Sequence, residues 1–248
     1  MYINTTGLVL RVTDYKDSSR IMTVLTSSEG KLTVSARGAM RRGSRLAAAV
    51  QPLAYSDMTL SVSRDRWTLT EAQTIELFSG ITGDIRLLAL GSYFAELLEA
   101  VSDEDSPNPD VLSLGLNALY MLSRGEKDQE LIKSAFELRL MGLAGFEPAV
   151  AACGVCGRED VPEPRLDLMG GMLLCRGCRI AGSGETAALD RGTLDAMRYI
   201  LSADPKKIFS FRLEGDALTR LTRAAEAYVA AQLDRKFKTL EYFKQLKV

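Results

Sequence analysis

The chain has 248 residues, 46% hydrophobic and 25% charged, a composition that excludes a disordered segment and is long enough for one large domain or two to three small ones. Its 31 Lys and Arg against 32 Asp and Glu exclude a polycation. The complete lack of histidine excludes Ser-His-Asp and Cys-His catalysis and every His-containing metal site.

Residues 1–80 read as five short strands. Met1 to Leu10 has no basic head and no long apolar run, so it reads as a first strand, not a signal peptide, and continues through Gly7–Val12. Arg20–Thr26, Lys31–Arg37, Tyr55–Ser63 and a run opening at Trp67 follow, with a turn at Ser28–Lys31 and a hairpin tip at Arg64–Arg66. Five antiparallel strands in this length suit a small Greek-key barrel of the OB type. From Ile85 the apolar period becomes helical and runs to Val101. Asp103–Pro109 breaks that helix, Val111–Leu122 forms a second, and Gln129–Leu143 a third, stopped by Gly145 and Pro148. After the cysteine region and a Gly/Ser stretch, Leu189–Leu201 is helical, and Ala217–Gln245 holds one or two more helices. The expected fold is therefore α+β and multidomain. It has an OB-fold barrel over 1–80, a helical domain over 81–150 and 183–248, and a cysteine module over 151–182 inserted between its two parts. No run approaches the roughly 20 apolar residues of a spanning helix, so a cytoplasmic protein without membrane contact is expected.

The near-neutral total hides a pattern. Residues 1–80 carry 10 basic and 7 acidic groups, net +3; residues 81–150 carry 5 and 12, net −7; residues 151–248 carry 16 and 13, net +3. Such segments suit different partners.

The four cysteines are spaced Cys153-x2-Cys156-x18-Cys175-x2-Cys178. Each Cys-x-x-Cys knuckle turns both sulfurs to one side, and two facing knuckles make the tetrahedral four-sulfur cage that Zn²⁺ accepts. Gly154, Gly157 and Gly177 give the knuckles conformational freedom, and Arg165–Leu174 reads as a hairpin turning at Gly170-Gly171. The pattern is that of a zinc ribbon with one structural ion. Two disulfides, or a redox Cys-x-x-Cys, are the alternatives; the first calls for export and the second for a βαβ context.

Arg37, Arg41, Arg42 and Arg45 fall within nine residues, with no acid between Lys31 and Val50. Guanidinium groups chelate phosphate oxygens in pairs, and OB barrels bind nucleic acid on one face and its loops. Lys31, Lys16 and Arg20 flank this cluster, and Tyr15, Tyr55 and Trp67 are candidate stacking groups. A solvated surface loop is the plainer reading. Lys206, Lys207, Arg212, Arg235, Lys236 and Lys238 form a weaker C-terminal set, in part explained by helix dipoles. Lys133, Phe136 and Arg139 share one amphipathic helix. Core packing is the default for each, while an apolar pocket rimmed by these cations would suit an acidic peptide with an aromatic end. No P-loop, dinucleotide fingerprint or nucleophile elbow is present, so a binding module, not an enzyme with a small-molecule substrate, is expected.

The succession of these landmarks resembles the bacterial recombination mediator family RecO. The carrying stretches are Gly7–Thr26, Gly30-Lys31, Ala36–Ala39 with its following basic residues, Gln51–Leu53, Arg139–Gly145 with Phe146 and Pro148, and the Cys153–Cys156 knuckle. The resemblance spans the chain. It implies an OB-fold, a helical domain and a zinc module. It also implies binding to single- and double-stranded DNA, strand annealing, and partnership with RecR and with the acidic C-terminal tail of single-stranded DNA-binding protein, so that RecA can load. That activity belongs in the cytoplasm at the nucleoid. DNA contact carries over onto Lys31, Arg37, Arg41, Arg42 and Arg45. A zinc-ribbon scaffold that joins proteins and barely touches DNA, and a thiol redox protein, are the competing readings.

Overall fold

The computed structural model describes residues 1–64, 66–179 and 184–246. Its strands are β1 (Tyr2–Tyr15), β2 (Ser19–Thr26), β3 (Lys31–Ala36), β4 (Tyr55–Ser63), β5 (Arg66–Glu76), β6 (Ala149–Cys153), β7 (Arg165–Asp167), β8 (Met172–Leu174) and β9 (Thr186–Ala188). Its helices are α1 (Ser79–Thr82), α2 (Ile85–Val101), α3 (Pro109–Arg124), α4 (Gln129–Leu143), α5 (Arg191–Ser202), α6 (Gly215–Leu233) and α7 (Lys238–Gln245). Residues pack as two units, Met1–Arg124 joined by the segment from Phe237 on, and Gly125–Lys236.

The five N-terminal strands close into a barrel of order β1-β2-β3-β5-β4. All pairings are antiparallel except the closing one, a short parallel contact of Val34 with Trp67 and Ser35 with Thr68. Period-2 alternation aims Val9, Met22, Val24, Val34, Met58 and Leu60 into one fully buried core. β1 runs further than the apolar run Gly7–Val12 suggests. A register shift between Val9 and Arg11 lets one long strand bend and serve both β2 and β4, as bulges do in barrels. The tip of the β4–β5 hairpin contains Asp65, which lies outside the described residues; Ser63 and Arg66 pair across it.

α2 starts where Asp84 accepts hydrogen bonds from the Arg86 and Leu87 amides, and buries Tyr93, Phe94, Leu97 and Leu98. Pro109, expected only as a breaker, also opens α3. A first-turn proline loses no intrahelical hydrogen bond, and its φ is preset for the helix. α7 packs on α2, with Phe237 edge-on to Tyr93 at 5.6 Å. The expected C-terminal helical stretch is therefore two helices, α6 and α7, that belong to different units.

In the second unit α4 packs on α5 and α6. Beside them stands a four-stranded sheet, β6-β8-β7-β9, that carries the cysteines. The hairpin between the knuckles turns through Leu168–Gly171, as the Gly-Gly signal suggests. The Gly/Ser stretch and the 182/183 boundary fall at residues 180–183, outside the described residues. No helix of the described residues is long and apolar enough to cross a membrane.

Candidate metal centre and nucleic-acid interface

All four cysteines are free thiols, and their Sγ atoms lie within 4.8 Å of one another. Cys156 and Cys175 Sγ are 3.7 Å apart. A tetrahedral four-sulfur site with Zn–S near 2.3 Å needs S···S edges of about 3.8 Å, so the cluster fits a single ion of that kind. The first knuckle closes through Gly157 N–H to the Cys153 carbonyl at 2.9 Å, and the second through Cys178 N–H to the Cys175 carbonyl at 3.2 Å. Gly157 has φ +70°, the left-handed turn a knuckle requires. Gly154 matters for space instead, since a Cβ there would sit 2.8 Å from the Met172 sulfur.

The thiols do not share charge evenly. Burial pushes Cys153 up, but amides of Cys156, Val155 and Cys175 and a hydrogen bond with Cys156 outweigh it and bring it down to about 6. Burial, then hydrogen bonds and charge from Cys156 and Cys153, push Cys175 up to about 12. Hydrogen bonds with Cys153 and Cys156 raise Cys178 as well. One thiolate forms readily, while Cys175 and Cys178 resist. A divalent cation among four sulfurs reverses that resistance by supplying the missing positive charge.

Two arginines that the sequence reading did not single out hold this centre. Arg165 Nη2 donates to the carbonyls of Cys175, Arg176 and Cys178, tying the second knuckle to β7. Arg198, on α5, donates to Val150, Ala151 and Glu159 and so fixes β6 and the first knuckle. Neither stands in a sequence pattern that marks it; only the turn of the chain brings carbonyls to them. The hairpin loop is pinned to α6 by Gln232 Nε2 donating to Leu168 and Met169.

On the barrel, residues 37–54 form a turn-rich connection between β3 and β4. Its apolar side chains Ala39, Val50, Leu53 and Ala54 are buried, while Arg37, Arg41, Arg42 and Arg45 are exposed. None of the four arginines pairs with a carboxylate among the described residues. The β1–β2 turn and the start of β2 hold the loop: the Met40 amide donates to the Ser18 carbonyl at 3.0 Å, the Gly38 amide to Ser19 Oγ at 3.3 Å, and Arg20 Nη1 to the Val50 carbonyl at 3.0 Å. Lys16 stands in that same turn, its Nζ 5.3 Å from the centre of the exposed Tyr15 ring. Trp67 is half-buried against the barrel core, and Tyr55 is also half-buried.

Two flanking cations are already engaged. Arg20 is bound to Asp14 at 3.0 Å with only 14% of its side chain exposed. Lys31 Nζ donates to the Glu99 carbonyl in the last turn of α2 at 2.9 Å. Lys31 opens β3 and Arg37 follows its end, so about 20 Å of strand separates Lys31 from the arginine loop.

Lys133, Phe136 and Arg139 take the core-packing role that is their default, and the alternative of a cationic rim around an apolar pocket does not fit where their side chains lie. Lys133 is 1% exposed and forms an ion pair with the fully buried Glu137 at 3.0 Å and with Glu226 at 3.3 Å. Phe136 is fully buried. Arg139 donates to the carbonyls of Ile200, Leu201 and Ala203 at the end of α5. The amphipathic stripe is core, and its cations neutralise a buried carboxylate and a helix C-terminus inside the unit.

A closed barrel with an arginine loop that pairs with no carboxylate among the described residues, together with a helical unit bearing a four-thiol cage, defines a multidomain protein built for binding. Known sequences place it further. The model of the Recombination protein O N-terminal domain matches residues 1–79, and that of the Recombination protein O C-terminal domain matches residues 82–241. The chain is 32% identical over 247 residues to DNA repair protein RecO of Symbiobacterium thermophilum, covering 98% of this chain and 97% of that one. It is 30% identical over 247 residues to DNA repair protein RecO of Alkaliphilus metalliredigens, covering 99% and 100%. It is 36% identical over 160 residues to that of Bacillus pumilus, covering 64% and 62%. The chain belongs to the RecO family of DNA repair proteins.

Proposed function

We propose that this chain is a non-catalytic mediator of DNA repair and homologous recombination. It binds single- and double-stranded DNA, anneals complementary strands and, with RecR, helps load RecA onto DNA coated by single-stranded DNA-binding protein. The observation that carries DNA binding is the loop bearing Arg37, Arg41, Arg42 and Arg45, exposed and without carboxylate partners among the described residues. Phosphate contact releases counterions and is indifferent to sequence. Neutralising two backbones at once lets complementary strands approach. Lys16 extends the positive surface, while Arg20 and Lys31 shape the barrel around it.

The four cysteines hold one Zn²⁺, and a closed site of four thiolates leaves no open position for substrate, so the ion is structural. The RecR and RecA steps, docking of the acidic tail and action at the nucleoid rest on the family likeness. Lys133, Phe136 and Arg139 have no part in that docking.

The test is annealing of complementary oligonucleotides precoated with single-stranded DNA-binding protein, without ATP, against a coat lacking its C-terminal tail. Fast annealing that needs the tail, slowed by Arg41→Ala with Arg42→Ala, is expected. Those two changes should also lower the slope of log K against log salt by roughly 2. An unchanged slope and an unchanged annealing rate would overturn the reading and favour a protein scaffold.

A further inference from the structure

The four sulfurs of the cage are not equally open to solvent. Cys153 and Cys175 are buried and Cys178 is half-buried, while Cys156 is exposed. Cys153 ends β6, and its Sγ accepts from the Cys175 amide at 3.4 Å. Cys156 stands beyond that strand, and residues 154–158 around it are all exposed. The space beside the knuckles is open: a Cβ at Gly157, or at Gly177 in the second knuckle, would meet nothing within 4 Å. Cys175 Sγ lies 3.7 Å from Cys156 Sγ, so the exposed sulfur has a buried one from the other knuckle at its back.

We infer that Cys156 is an oxidation site for hydrogen peroxide, and that Cys175 resolves the oxidised sulfur into a disulfide joining the two knuckles. The inference rests on the zinc reading above. Ligands of a four-sulfur site are deprotonated, so the exposed sulfur is a thiolate, the form that attacks peroxides. In the first step Cys156 Sγ attacks one oxygen of the peroxide. An S–O bond forms, the O–O bond breaks and hydroxide leaves. Cys156 becomes a sulfenic acid, oxidised by two electrons that reduce the peroxide. In the second step the Cys175 thiolate attacks Cys156 Sγ. The S–S bond forms, the S–O bond breaks and a second hydroxide leaves. Both hydroxides take protons from solvent and become water, and no further oxidant is consumed.

Burial sets the order of the steps. Peroxide meets Cys156 first because the other sulfurs are covered in whole or in part. Cys175 is 6% exposed and already in van der Waals contact with Cys156, so it captures the sulfenic acid ahead of a solvent nucleophile. The disulfide withdraws two of the four ligands together, and the cage then no longer holds its ion. A thiol reductant returns both sulfurs and restores the site. The oxidation site does not involve the arginine loop and stands apart from DNA binding.

The experiment uses the full wild-type chain, because replacing a ligand removes the cage under study. Its zinc content is first measured by atomic absorption. The chain is then treated with equimolar hydrogen peroxide beside a chromogenic zinc chelator, free thiols are blocked with iodoacetamide, and disulfides are mapped by mass spectrometry of a non-reduced digest. The expected first product is a Cys156–Cys175 disulfide, with one zinc ion released per disulfide. Release should be at least about tenfold faster than without peroxide, and dithiothreitol should restore zinc binding. Dimedone, which traps sulfenic acids, should label Cys156 and lower the disulfide yield. A first disulfide within either knuckle, dimedone on another cysteine ahead of Cys156, or zinc that stays bound through peroxide treatment overturns the inference and leaves the zinc reading standing. A folded chain that holds no zinc overturns both.

Discussion

Arg20 Nη1 donates to the Val50 carbonyl at 3.0 Å while its Nε holds Asp14 at 3.0 Å, so one β2 side chain ties the far end of the arginine loop to the barrel. Arg20 stands opposite Ala36 in the β2–β3 register, one residue before the loop leaves β3. It is thus placed between both ends of the segment that carries Arg37, Arg41, Arg42 and Arg45. A guanidinium is suited to this because it donates in two directions from one plane.

Arg20→Ala should lower unfolding free energy by about 1–2 kcal/mol, the worth of a charge-assisted bond to a part-buried carbonyl. It should also weaken DNA binding. A double-mutant cycle with Arg41→Ala and Arg42→Ala separates positioning from contact. Positioning predicts that Arg20→Ala adds little once the two arginines are gone; a direct phosphate contact predicts additive losses.

Removal of the metal should act on the second unit. Stripping with a strong chelator at neutral pH, or Cys175→Ser, should abolish stoichiometric zinc by atomic absorption and lower the melting temperature of the Gly125–Lys236 unit. Zinc binding of this kind contributes on the order of 10–16 kcal/mol to local folding in peptides. The barrel, whose core lies wholly in strands β1 to β5 and their connections, should keep its slow amide exchange. Loss of protection throughout the barrel would contradict this separation.

The Lys133–Glu137 pair should show the asymmetry of buried ions. Lys133→Met alone leaves a buried carboxylate and should cost about 3–5 kcal/mol; Lys133→Met with Glu137→Leu should cost far less. The pH dependence has a definite sign. Burial opposes the charge on Lys133, yet Glu137, Glu226 and Glu130 together raise its pKa above the ordinary 10.5. Its contribution is therefore complete below about pH 10.5 and is lost as pH rises through the higher folded value. Denaturant unfolding of the wild-type chain and the double variant should differ by a constant amount from neutral pH up to that point, with the wild-type chain losing stability relative to the double variant only above it.

Gly80→Ala tests close packing of α1. A Cβ at Gly80 would lie 2.1 Å from the Ser123 carbonyl oxygen in α3, a backbone atom that cannot move aside like a flexible side chain. The cost should be about 1–3 kcal/mol in equilibrium unfolding, the range for overpacking. Gly83→Ala, where the added methyl meets open space, is the control.

The barrel is legible in the sequence because its signal is local. Alternation in Lys31–Ala36 and Tyr55–Ser63 needs only nearest neighbours along a strand to divide inside from outside. The cysteine cage is legible for the same reason, since a Cys-x-x-Cys turn places its two sulfurs together before any tertiary contact forms. The arginine loop is visible as a charge cluster, and its lack of acids is a fact of sequence.

Other roles have no local signature. Lys133 and Arg139 read as core-packing positions of an amphipathic helix, but which groups meet their charges, Glu226 and the Ile200 carbonyl, 93 and 61 residues away along the chain, is not written in that helix. Arg20 and Lys31 likewise look free until the barrel brings Val50 and Glu99 to them. The sequence leaves open whether Ala217–Gln245 is one helix or two, and only folding shows that Phe237 and Phe243 are buried in the first unit while α6 belongs to the second. Period, spacing and composition act over a few residues, so the elements, the thiol cage and the basic loop can be read along the chain. Which cations remain available to a ligand is settled only by folding. A charge is free or engaged according to the carboxylates and carbonyls that folding brings within about 3 Å of it, and that depends on contacts distant in the chain.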